Sequence, residues 1–198
     1  MSSLRRDWLV LLVLVATAVL LTGLAPKDRV LGSSLRIVYL HGAWVWAALL
    51  AFAAAAMSGL FGFILHRRSL HAWSGGLSRS ATAFWLTSLL LSLAAMQTSW
   101  NGLYLAEPRW RLGVRFGVAA LVLQVAAALL HRPRLGSGVA IGFFGLLMAA
   151  LLTTPSVMHP ASPVFSSQSI AVRASFLALL ACAAASAAWL ARLVRPHA

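Results

Sequence analysis

"VYLHGAWVWAALLAFAAAAMSGLFGFIL" fills residues 38–65 and contains no charged side chain. An unbroken apolar run of this kind reads as a helix that crosses a bilayer, because about 20 apolar residues span the ~30 Å hydrocarbon core. The run is longer than one crossing requires, so it tilts or projects its first turns beyond the lipid. Near its head stands His41, close to Trp44 and Trp46. An imidazole at the mouth of a membrane span needs a reason.

Five further segments of the same character flank this one, which extends over roughly 37–65: 8–25, 81–100, 113–131, 138–158 and 170–191. Lipid offers no partner to backbone N–H and C=O groups, so each segment is expected to be a helix. The chain is 61% hydrophobic and only 10% charged, against about 25% charged in soluble domains. These observations predict an all-α integral membrane bundle of six transmembrane helices, forming a single domain over residues 1–198. The first segment has a basic start and a core too long for a typical signal peptide, with no small-residue cleavage site after it. It reads as an uncleaved anchor. Two GxxxG patterns, "GVRFG" (113–117) and "GVAIG" (138–142), predict close helix packing.

The net charge of +13 comes almost wholly from arginine, which punctuates the apolar runs. That distribution suits lipid headgroups rather than nucleic acid. With the N-terminus inside, nine basic residues fall on the inner side: Arg5, Arg6, Arg67, Arg68, Arg79, Arg132, Arg134, Arg192 and Arg195. Seven fall outside: Lys27, Arg29, Arg36, Arg109, Arg111, Arg115 and Arg173. The excess, with an even number of spans, predicts both termini on the cytoplasmic face. Outer loops usually avoid arginine, so its retention there points to an anionic partner.

Several function classes are excluded or disfavoured. The only acids are Asp7, Asp28 and Glu107, too few and too scattered to pair for general acid–base work. The sequence has no P-loop, HExxH or GxSxG pattern. Cys182 is the sole cysteine, so neither an intrachain disulfide nor a CxxCH haem attachment is possible.

The expected topology sorts the histidines. His41 opens the second span on the outer side, and His159 follows the fifth span there. His66 and His131 close spans on the inner side, with His71 in the inner loop and His197 in the tail. Imidazoles are common iron ligands, and two can hold haem iron from opposite faces. Aromatic rings suit the flat macrocycle and arginines suit its propionates. The outer side offers Trp44, Trp100, Tyr104 and Trp110 with Arg36, Arg109, Arg111, Arg115 and Arg173.

On these residues the chain resembles the cytochrome c assembly family, specifically its six-span haem-handling type known as CcmC. That type opens its second span with a histidine in a "Y-x-H-x-P-x-A-W"-like segment. "YLHGAWVW" is similar, with His41 and Trp44 but no proline. A second histidine follows the fifth span, and His159 in "MHPASP" resembles it. Between them lies a W-G-x-W-W-x-W-D-x-R segment. "WNGLYLAEPR" (100–109) aligns without a gap, placing Trp100, Tyr104, Glu107 and Arg109 on family positions. Leu103 and Ala106 replace two tryptophans, and Asn101 replaces the glycine.

The resemblance implies haem b held at the outer face between His41 and His159 for handover to an apocytochrome. It implies binding and delivery rather than covalent catalysis, with other membrane proteins of a cytochrome assembly complex as partners. Glu107 and Gln97 would orient an imidazole. A degenerate, haem-free structural subunit of a larger membrane complex is the alternative, favoured by the lost tryptophans. A b-type cytochrome using His66 and His131, and a transporter with interrupted helices, fit less of the pattern.

Overall fold

A computed structural model describes residues 3–26, 35–157, 164 and 167–196. They form six helices, with no strand among the described residues: α1 (Ser3–Leu24), α2 (Leu35–Ile64), α3 (Arg68–Trp100), α4 (Pro108–Leu130), α5 (Pro133–Thr153) and α6 (Ile170–Leu193). All six are long and apolar enough to cross a membrane. Leu90, Val118, Leu121, Val122, Val125, Leu129, Leu146 and Leu152 point outward. In water such a surface would aggregate; in lipid it is the expected exterior.

The α2 run forms the centre of the bundle because it is rich in alanine. Ala43, Ala47, Ala51, Ala55, Gly59 and Gly62 step along one buried face at helical spacing, and small side chains let neighbouring backbones approach. α2 packs against α1, α3, α5 and α6, while α4 touches only α3 and α5. Larger rings fill the gaps: Trp44 stacks on Phe84 at 5.1 Å, and Phe143 lies 4.9 Å from Phe52 and 5.6 Å from Phe116.

α3 begins thirteen residues earlier than the apolar pattern predicts, at Arg68 rather than 81. The stretch "RSLHAWSGGLSRS" (68–80) is too polar to stand out by hydropathy, yet its small residues are what the packing needs. A Cβ on Gly76 would lie 2.5 Å from the Ala191 carbonyl oxygen of α6. Ser80 donates to the Ala187 carbonyl at 2.6 Å. His71, expected in a loop, is instead a buried helical residue.

The start of α1 lies beside the end of α6. Trp189 Nε1 donates to the Asp7 carbonyl at 2.9 Å, and Arg192 approaches the Asp7 carboxylate at 3.9 Å. That end of the bundle also holds the two tight inter-helix turns. His66 (φ 52°) and His131 (φ 49°) occupy left-handed conformations there, ending α2 and α4. Pro108 and Pro133 each sit in the first turn of their helix, where no N–H is missed. This moves both starts about five residues ahead of the apolar runs.

Candidate functional site

The opposite end of the bundle carries the beginnings of α2, α4 and α6 and the ends of α3 and α5. His41 lies in the second turn of α2, half-buried, with Nδ1 3.1 Å from the Ser88 carbonyl oxygen of α3. A carbonyl can only accept, so Nδ1 carries the proton in this bond. In the neutral ring the lone pair then resides on Nε2. This is the arrangement that prepares an imidazole as a metal ligand, with its second nitrogen oriented by a backbone carbonyl. Next to His41, a Cβ on Gly42 would meet the ring of Phe176 at 3.3 Å, so α6 closes against this turn.

The chain beyond α3 stands above that level. Trp85 Nε1 donates to the Gly113 carbonyl at 2.8 Å, so Gly113, in the second turn of α4, lies level with residue 85. From there α3 runs on to Trp100, a rise of roughly 20 Å at 1.5 Å per residue. Asn101 ends α3 in a left-handed conformation (φ 53°). Residues 101–107 descend to Pro108, with Glu107 N–H donating to the Tyr104 carbonyl at 3.0 Å. Trp100 and Tyr104 meet edge to face, their centroids 5.8 Å apart. Leu103, Tyr104 and Leu105 are all exposed at the tip. The result is an apolar and aromatic rim raised above the entry of α4.

No protein-family model matches this chain, and no curated protein matches it in sequence.

The other candidates separate. Trp44, one turn deeper than His41, is buried and serves the core through Phe84. Glu107 is buried at the N-cap of α4, where its side chain does not cap the helix. Arg109 follows it, half-buried, with an enclosed Nε that makes no hydrogen bond. Trp110 is half-buried on the same turn. Arg115 lies further along α4, exposed; Arg173 is exposed in the first turn of α6. α4 touches neither α2 nor α6, so α3 and α5 stand between the helix of Arg115 and the helix bearing His41. His159 lies outside the described residues, as do Lys27 and Arg29.

Two features escaped the sequence reading. His71 Nδ1 and Ser137 Oγ are 2.8 Å apart inside the α2–α3–α5 contact. The small-residue pattern of 74–80 was the signal that could have placed it. The second is an open cleft of about 420 Å³ between α4 and α5, bordered by Arg111 and Arg115. Their spacing of four on a helix was visible, but the α5 wall was not.

Proposed function

We propose that this chain handles haem at the outer surface of a prokaryotic cytoplasmic membrane, in the biogenesis of c-type cytochromes. The observation that carries this reading is the His41 Nδ1 bond to the Ser88 carbonyl, 3.1 Å long. It supplies the tautomer and the fixed ring that iron ligation at Nε2 requires. An imidazole so held beside aromatic rings and arginine would suit haem b, which when bound would supply an iron centre and two propionates.

In this reading His41 and His159 would hold the haem iron. Trp100, Tyr104 and the exposed leucines at 103 and 105 offer apolar surface to the macrocycle. Arg109, with its Nε unsatisfied, offers charge-assisted bonds to a propionate. The residues bind, orient and release; the chain needs no covalent step of its own. Handover requires other membrane proteins of a cytochrome assembly complex as partners.

The test is the absorption spectrum of the purified full chain titrated with haem. A Soret band that shifts in His41→Ala and in His159→Ala supports the reading. A spectrum indifferent to both substitutions overturns it.

A second reading, a haem-free subunit of a larger membrane complex, is favoured by one observation. Gly138, Gly142 and Gly145 of α5 have nothing within 4 Å of where a Cβ would stand. That smooth face has no neighbour among the described residues of this chain, and the second reading would give it one.

A further inference from the structure

We propose that the cleft between α4 and α5 binds the phosphate headgroup of an anionic phospholipid, held by Arg111 and Arg115. The two arginines stand one turn apart on α4, and residues at that spacing are neighbours, about 5–6 Å between Cβ atoms. Both border the same cleft of about 420 Å³, a volume within the roughly 300–1,000 Å³ typical of ligand sites. Of its side-chain nitrogens Arg111 uses only Nε within the protein, donating to the Leu105 carbonyl at 3.4 Å. Its terminal nitrogens make no hydrogen bond to a described residue, and neither does any side-chain nitrogen of Arg115. No acidic side chain is among the described residues that line the cleft. Two guanidinium groups with no ion pair to a described acidic side chain, facing one opening, are a receptor for a multivalent oxyanion.

The surroundings select a lipid over a free anion. The rest of the lining is mostly apolar, including Leu112 and Phe116 from α4 and Ala150 from α5. Leu152, just past Ala150, is 81% exposed, and Val118, just past Phe116, is 58% exposed. The cleft therefore opens at the edge of the apolar exterior, where the phosphates of a bilayer lie. Arg115 sits within that edge rather than beyond it, and a cation there is retained when an anion accompanies it. A headgroup drawn to the arginines would leave its acyl chains along the outward faces of Val118, Leu121 and Val122. The proposal does not rest on the haem reading, although Ala106 at the foot of the aromatic rim also borders the cleft.

The test uses the full chain in mild detergent, with bound lipid measured by native mass spectrometry. Phosphatidylglycerol is compared with zwitterionic phosphatidylcholine, and inorganic phosphate is added as a competitor. The wild type is expected to retain phosphatidylglycerol at least tenfold over phosphatidylcholine. The double variant Arg111→Gln, Arg115→Gln should abolish that preference at unchanged helix content. Ala150→Phe fills the floor of the cleft from α5 and leaves both cations in place; it should also abolish retention. Equal retention of the two lipids by the wild type overturns the proposal, as does unchanged phosphatidylglycerol binding in both variants. Complete displacement by inorganic phosphate overturns the lipid as ligand, because the acyl chains would then contribute nothing.

Discussion

The His71 imidazole and the Ser137 hydroxyl meet at 2.8 Å, both buried, and join α3 to α5 beneath the backbone of α2. Gly62 makes the contact possible: a Cβ there would stand 2.9 Å from the His71 ring. Phe63 covers the ring edge to face at 4.9 Å. A buried polar pair of this kind specifies register, because sliding either helix strands both partners.

Removing one partner should therefore cost more than removing both in proportion. His71→Ala and Ser137→Ala each leave a buried polar atom unsatisfied, a loss of about 1–3 kcal/mol. The double variant should be less destabilised than the sum of the two singles. Denaturant unfolding in detergent micelles measures the cycle. Strict additivity would mean that the bond contributes nothing to stability.

Glycines of similar appearance should answer differently to one methyl group. Gly76→Ala places a Cβ 2.5 Å from the Ala191 carbonyl oxygen and should destabilise the bundle by about 1–3 kcal/mol through overpacking. Gly142→Ala meets open space and should leave the unfolding midpoint of the isolated chain unchanged or slightly raised. Thermal unfolding of the two variants side by side decides this.

Leu103 is exposed in the segment that joins α3 to α4, and the arginine bias predicts that segment outside the cytoplasm. In a Cys182→Ser background, Leu103→Cys should react with an impermeant maleimide in intact cells. Arg132→Cys, at the opposite end of the bundle, should react only after lysis. The reverse pattern would invert the topology.

Leu103 and Ala106 are both exposed, so tryptophan at either position extends the aromatic rim without repacking the core. Leu103→Trp with Ala106→Trp should tighten haem retention. Arg109→Ala should weaken it about tenfold, the equivalent of losing one charge-assisted bond of about 1.4 kcal/mol. Haem titration followed by absorbance reads both effects. Retention insensitive to all three positions would remove this rim from the site.

The sequence by itself determined that there are six helices, because lipid leaves a spanning backbone no partner but its own turns. It also determined where α2 and α4 end, since His66 and His131 are each followed by arginine at the limit of an apolar run. The aromatic segment around Trp100 and Tyr104 was legible as a surface feature for the same reason. Only the tertiary structure decided what each helix face meets. "GVRFG" and "GVAIG" are equivalent as sequence, yet Gly113 and Gly117 pack on Leu86 and Leu89 of α3 while Gly138 and Gly142 meet open space. Residues 68–80 look like a polar loop until α6 arrives to accept the Ser80 hydroxyl and the bare backbone of Gly76. His41 became a chemically defined ligand candidate in the same way. Its position was visible in the chain, but the proton on Nδ1 is set by a carbonyl 47 residues away, and only packing brings the two together.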